Sequence, residues 1–409
     1  MRVKIAEYRT VGSAAHSTHK LSRRGAKLYL KSESSRQRGS NMKAMHLIKK
    51  ISRAVLALAV MVVIAANSSA QPLDANHASV RAVIAVQNAV TKQMMALPDI
   101  LGTAVGLDEN DQLALVVYVN LNGKNAAAAG SALHGQKVRG VRVAVELTDP
   151  FIALWDSGSA HRVKQTPPIK LGTSGGWRHD LANGFCCGGT LGSLIQVNGV
   201  QYILSNYHVL EADIVSGGNS QVAQTGDPVI QPGLIDLSCN ALNAQDVATL
   251  VKLSSLPDSN VDASVAQIIA GQVDSSGAIL DIGTISSQTV GASLSQKVKK
   301  SGRTTGLTRS SISGLNATVS VTYDNECAGG TAFTKTFTGQ ILIKNKNRGV
   351  SFIAGGDSGS LMVQDVTTSP QAVGLLFAGS STTAVANPIN AVLAFVGTQL
   401  GGTATMVGQ

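Results

Sequence analysis

From Phe185 onward the chain is written in short runs of Val, Ile, Leu and Thr, broken every few residues by Gly, Ser or Asn. β-Branched residues suit a pleated, half-buried surface, and the small polar residues and glycines supply turns. Candidate strands are Leu191–Val197, Gln201–Leu204, Val247–Lys252, Ser264–Ile269, Ile341–Lys344, Leu361–Gln364 and Ala372–Phe377. Thr367-Thr368-Ser369-Pro370 is the turn between the last two. Many short strands at this spacing predict a mostly β architecture, either a closed pair of barrels or a sandwich. Helical periodicity returns near Pro388–Leu400, where Ile389, Val392, Leu393 and Val396 fit one face.

Upstream the pattern differs. Val83, Val86, Val90, Met94 and Leu97 recur at steps of three and four, which predicts a helix over 77–97 ended by Pro98. Leu101–Leu107 and Leu113–Val119 read as a hairpin around Asp108-Glu109-Asn110-Asp111. An Ala-rich stretch over 125–133 reads as a short helix, and Val138–Val145 as a third strand. Together they predict a small α/β unit over 71–150 without a catalytic constellation of its own. Residues 151–184, with Pro167-Pro168 and scattered glycines, read as a connecting segment. His77 and His134 are expected at the surface, and His161 and His179 as solvated loop residues.

The formal charge of +10 hints at nucleic acid, but it is concentrated at one end. Residues 1–70 hold 14 Lys/Arg against 2 Asp/Glu, and the other 339 residues hold 20 against 22. The body of the protein therefore offers no basic surface for a phosphate backbone, and nucleic acid is excluded as a partner.

The basic end has an export layout. Met42 or Met45 opens a basic segment with Lys49, Lys50 and Arg53, followed by an apolar run from Ala54 to Ala66. Ser68 and Ala70 are the small residues a signal peptidase needs before Gln71. The run is short for a bilayer span, so a signal peptide over 42–70 is preferred to a stable membrane anchor. Residues 1–41 are Ser/Arg/Lys-rich; an early start codon accounts for them most simply, with a long n-region or a transit segment as alternatives. The expected location is secreted or periplasmic.

All four cysteines follow the leader: Cys186, Cys187, Cys239 and Cys327. An even count in an exported chain fits two disulfides. Adjacent Cys186 and Cys187 are not expected to pair with each other, so each takes one of Cys239 and Cys327. A zinc site lacks C-x-x-C spacing, and no metal or other cofactor is expected.

One loop carries chemistry. In Gly355-Gly356-Asp357-Ser358-Gly359-Ser360 a serine stands between glycines that permit a tight turn and an exposed hydroxyl. A polar β-turn between strands has the same composition. Serine becomes a nucleophile only when a base takes its proton. His208, just past a strand, is the histidine of the β region and hence the candidate base. Asp262 opens an alternating apolar run, where a carboxylate can be buried against a histidine; Asp246 and Asp236 are its competitors.

The order His208, Asp262, Ser358 is that of chymotrypsin-like enzymes. The chain resembles bacterial trypsin-like serine proteases related to the plant narrow-leaf protease. The resemblance rests on Gly356-Asp357-Ser358-Gly359-Ser360, Cys187-Gly188-Gly189-Thr190-Leu191, Ser301-Gly302-Arg303-Thr304-Thr305-Gly306 and Val373–Gly379. It is strengthened by Ser205-Asn206-Tyr207-His208-Val209-Leu210 and Gly226-Asp227-Pro228-Val229-Ile230-Gln231-Pro232-Gly233, and spans roughly 95–398. It implies a chymotrypsin-like double β-barrel over 185–402, preceded by the small α/β domain. It also implies endopeptidase activity on a protein or peptide substrate, with the backbone N–H groups of Gly356 and Ser358 as oxyanion hole. Phe352 would lie near the floor of the substrate pocket, with Phe377 and Gly379 at its wall, implying apolar or small side chains in preference to Lys or Arg.

The sequence departs from that pattern in three places. No cysteine follows His208 directly, Phe377 stands where many relatives carry a serine, and no cleavable Ile/Val-Val-Gly-Gly start precedes the barrel. Asp357 therefore needs a partner other than a newly freed amino terminus. A catalytically silent binding or scaffold protein is the alternative reading, and an esterase a third. The α/β unit is a candidate pro-region, inhibitor or assembly module, expected to stay folded against the barrel unless the connecting segment is cut. Oligomeric state is not legible.

Overall fold

The structure is a computed structural model that describes residues 72–152, 160–182, 185–211, 223–323, 333–347 and 350–409. The leader segments 1–41 and 42–70 and Cys327 lie outside the described residues.

The described chain opens with helix α1 (Ala78–Met95), whose buried Val80, Val83, Gln87, Val90 and Met94 follow the helical period. The His77 side chain accepts a hydrogen bond from Ser79 N–H at 3.3 Å, capping the helix start. Strands β1 (Ile100–Leu107) and β2 (Leu113–Asn120) form the expected hairpin. Helix α2 (Ala126–Leu133) then carries the chain over to β3 (Val141–Thr148), which lies parallel to β2. β3 starts later than expected because Arg139 and Gly140, both at positive φ, turn the chain first.

The first barrel contains β4 (Thr173–Trp177), β5 (Gly189–Leu191), β6 (Ser193–Val197), β7 (Val200–Ser205), β8 (Pro228–Gln231), β9 (Gln245–Val251) and β10 (Ser264–Ile268). β4 lies inside the span read as a connector. Its Thr-Ser-Gly-Gly-Trp sequence has no apolar alternation, yet every residue of it is buried. Gly192 N–H, at the end of β5, donates to Leu204 O in β7 at 3.0 Å and curls the sheet back on itself. Inside, Leu194, Ile203, Leu204, Val265 and Ala266 are fully buried. Each fully buried Val, Leu or Ile side chain here contributes about 1.5–3 kcal/mol, so one truncation removes a large share of an ordinary domain's stability.

The second barrel contains β11 (Lys297–Gly302), β12 (Gly306–Tyr323), β13 (Phe333–Lys344), β14 (Leu361–Gln364), β15 (Ala372–Gly379) and β16 (Thr383–Pro388). Its order is β11-β14-β15-β16-β13-β12, and β12 pairs again with β11, closing the ring. The fold is thus mostly β, in the double-barrel arrangement of chymotrypsin-like proteins. Helix α3 (Tyr207–Leu210) follows β7; helix α4 (Ile389–Leu400) packs into the first core through Ile389, Val392, Leu393 and Val396. A last strand, β17 (Ala404–Met406), pairs with β6.

β1 pairs antiparallel with β12, so the N-terminal strands extend the sheet of the second barrel. Gln87 ties α1 to both, donating to Thr103 O at 3.2 Å and to Asn316 O at 2.8 Å. Beyond β3, Phe151-Ile152 lies parallel to Val321-Thr322, and Ile152 pairs antiparallel with Gly379 of β15. Among the described residues, no helix is long and apolar enough to cross a membrane.

Candidate active site

His208 sits in α3 at the end of β7, and Asp262 just before β10, both in the first barrel. The structure brings them together: His208 Nδ1 is 2.6 Å from Asp262 Oδ2. Asp262 is fully buried, and its other oxygen, Oδ1, accepts from Tyr207 N–H at 2.7 Å. Tyr323, at the end of β12, donates its phenol to Oδ2 at 2.9 Å. The Asp262 main chain is held on both sides: its N–H donates to Asn387 Oδ1 at 3.0 Å, and its carbonyl accepts from Asn206 Nδ2 at 2.7 Å. Asn387 belongs to β16, so the carboxylate is anchored on both barrels.

The competing aspartates are engaged elsewhere. Asp246 Oδ1 pairs with Arg178 at 2.5 Å. Both oxygens of Asp236 accept from Arg303, at 2.6 and 2.7 Å, and Oδ2 also accepts from Ser174.

Ser358 lies in the loop before β14, against the histidine segment. Its carbonyl accepts from Thr190 N–H at 2.9 Å. A Cβ on the next residue, Gly359 (φ +91°), would stand 2.2 Å from Ser205 Oγ, so only glycine lets the loop approach the end of β7. Gly356 (φ +87°) is equally constrained, because a Cβ there would meet Arg303 Nη1 at 2.5 Å. Thr190 Oγ1 donates to Gly356 O at 2.9 Å, which fixes the peptide preceding Asp357.

Ser358 Oγ donates to Phe377 O at 3.4 Å rather than to His208. His208 Nε2 has no hydrogen-bond partner among the described residues. The hydroxyl is a free rotor, and catalytic hydrogen bonds commonly tighten only when substrate is bound.

Asp357, beside the serine, meets a residue the sequence reading did not single out. Lys300 Nζ, from β11, is 3.1 Å from Asp357 Oδ2, and both side chains are fully buried. The carboxylate also accepts from Thr304 N–H at 2.9 Å, Thr305 N–H at 3.1 Å, Ala354 N–H at 3.0 Å and Thr305 Oγ1 at 2.7 Å. Burial pulls the Lys300 ammonium below the ordinary lysine range, and the Asp357 charge and hydrogen bond oppose that.

Phe352 and Phe377 are both buried but belong to different clusters. Phe352 packs with Ile353, Leu376, Ala384 and Ala386. Phe377 packs with Tyr207, Tyr323 and Phe337, its ring centroid 4.9 Å from that of Phe337. Gly379 is buried and paired with Ile152. Cys186 is bonded to Cys239, Cys187 is also disulfide-bonded, and no cysteine is free among the described residues.

The expectation for His161 is corrected. It is 6% exposed, with Nε2 at 3.0 Å from Asp281 Oδ2 and 3.2 Å from Ser301 Oγ. Its partners lie far along the chain, which hid its burial from a local reading; burial lowers its pKa against the opposing pull of Asp281. His134 and His179 are exposed as expected. Among the described residues no group of His, Cys, Asp and Glu could hold a metal ion.

No protein-family model matches the chain, and no curated protein matches it in sequence. Solved bacterial serine proteases are similar in structure at low identity. Thermobifida fusca protease A is 19% identical over 59% of this chain and 99% of its own, with a TM-score of 0.38. A glutamic-acid-specific serine protease is 16% identical over 58% and 100%, with a TM-score of 0.37. Cellulomonas bogoriensis chymotrypsin is 21% identical over 59% and 99%, with a TM-score of 0.35.

Proposed function

We propose that this chain is an exported serine endopeptidase. The reading is carried by the 2.6 Å contact between His208 Nδ1 and the buried Asp262, which leaves Nε2 without a partner among the described residues. A carboxylate on Nδ1 selects the tautomer whose Nε2 accepts a proton, and it stabilises the imidazolium that follows.

In the proposed reaction Ser358 Oγ attacks the substrate carbonyl carbon while its proton passes to His208 Nε2. The oxyanion is held by the N–H groups of Gly356 and Ser358. Loss of one such donor costs about 100- to 1,000-fold in rate. The C–N bond breaks as His208 returns the proton to the leaving amine. Water then attacks the acyl-enzyme, giving its proton to His208, and Ser358 is restored. Disulfide bonding at Cys186, Cys187 and Cys239 supports an oxidising location and hence export. The narrow-leaf-like motifs of the sequence are consistent with this assignment.

The second reading is a silent binding protein, favoured by the orientation of Ser358 Oγ toward Phe377 O. Labelling with a fluorophosphonate probe separates the two. The oxidised wild type should label, and Ser358→Ala should not. An unreactive wild type would leave the silent reading standing.

A further inference from the structure

Resting on that reading, we propose that Tyr323 is a positioning residue of the hydrolytic site, its phenol holding the Asp262 carboxylate in register with His208 from the opposite barrel. Two donors meet on one oxygen: His208 Nδ1 at 2.6 Å and Tyr323 OH at 2.9 Å both reach Asp262 Oδ2. The remaining oxygen is taken by Tyr207 N–H. A fully buried carboxylate needs such donors to stay charged, and their directions fix its plane.

Phe377 lies in the same apolar cluster and brings no hydroxyl to that carboxylate. Tyr323 supplies one from β12. The phenol cannot swing away easily. Its ring stacks on Phe333 at 5.0 Å and 12°, and meets the imidazole of His208 edge-on at 5.7 Å and 64°. Phe337 closes the cluster at 6.4 Å. Tyr323 therefore sets both the carboxylate and one face of the histidine. Burial and the neighbouring Asp262 charge push its ionisation well above the ordinary tyrosine range, so it acts only as a donor. The ionisable groups facing this knot are His208, Asp262 and Tyr323, with the Lys335 ammonium 5.4 Å over the outer Phe337 ring.

Tyr323→Phe tests this, because it keeps the ring and its stacking and removes one oxygen. A lost hydrogen bond to a charged group should lower kcat about 10-fold with KM little changed. Oδ2 would lose one of its two donors, so the His208 Nδ1–H proton signal, followed by NMR, should move. Unchanged kcat and an unchanged His208 Nδ1–H signal would overturn the proposal, even if the variant melted earlier. A wild type that fails to label with the fluorophosphonate defeats the hydrolase reading itself, whatever the NMR shift.

Discussion

Lys300 Nζ and Asp357 Oδ2 lie 3.1 Å apart in full burial, directly beside the candidate nucleophile. This pair answers the question left by the missing activation start: a lysine already in the chain neutralises Asp357. The ammonium also donates to Gly306 O at 3.0 Å, and the carboxylate accepts from three main-chain N–H groups around it. The loop from Ala354 to Ser360 is thus built around a charge pair that needs no proteolytic cut to form.

Lys300→Met should break that pair and leave Asp357 buried without a counter-charge. Breaking one side of a buried pair costs about 3–5 kcal/mol. Stability should fall by that order in urea melts, and fluorophosphonate labelling of the folded fraction should slow sharply. A Lys300→Met variant of wild-type stability and reactivity would remove the pair from any role in shaping the loop.

Ile152 opposite Gly379 is the second relationship with a consequence: under the proposed function the C-terminal end of β15 would pair an extended substrate, and Ile152 is paired there. Neighbouring bonds fasten the same segment: Thr148 Oγ1 to Ser380 Oγ at 2.5 Å, Ser381 Oγ to Asp149 Oδ2 at 2.6 Å, and Thr382 Oγ1 to Thr148 Oγ1 at 2.8 Å. Cleaving the chain between Ile152 and Ala160 should raise peptide turnover, and adding back the isolated 71–152 piece should lower it. Equal turnover before and after the cut would show that the segment does not compete with substrate.

Glu146 gives this contact a pH dependence. It accepts from Thr383 Oγ1 at 2.9 Å, and burial raises its pKa above the ordinary glutamate value. A raised native pKa means that the folded state binds the proton more tightly than the unfolded one. The contribution of Glu146 is then greatest below its unfolded value, near 4.3, and is lost as pH rises through the raised one. Melting midpoints of Glu146→Gln and wild type should converge at acid pH, with the wild type falling behind above that window. Parallel curves across the range would contradict this.

The strands with clean apolar alternation could be read from the sequence, and Leu361–Gln364 has the same bounds in the structure. β12 escaped because one residue in two faces water or a polar neighbour, so its Ser, Thr and Asn content masks its 18-residue length. Asp262 was legible as a candidate because it opens a buried strand. What separated it from Asp246 and Asp236 was their arginine partners, which local sequence does not show. Lys300 and Tyr323 were invisible for a related reason. A lysine inside a strand reads as a solvated side chain and a tyrosine as a core filler until the opposite element supplies the carboxylate. The demand for some partner could be read at Asp357, although neither its type nor its address could.

The proposed substrate pocket near Phe352 provides the last test. Phe352, Ile353, Leu376, Ala384 and Ala386 belong to one buried apolar cluster. Asn345 ties its two sides together, accepting from Ile353 N–H at 2.9 Å and donating to Ser380 O at 2.6 Å. A substrate Lys or Arg there would lose its hydration without gaining a full counter-charge. The carboxylate that does reach the neighbouring strand, Glu146, is shifted by burial toward its neutral form. Peptide-library profiling of the cut enzyme should therefore show cleavage after apolar or small residues, with kcat/KM for Lys or Arg lower by about 10-fold or more. Cleavage mainly after Lys or Arg would mean that Glu146, ionised, forms the pocket floor. In that case Glu146→Gln should abolish the basic preference while leaving Ser358 reactive toward the fluorophosphonate.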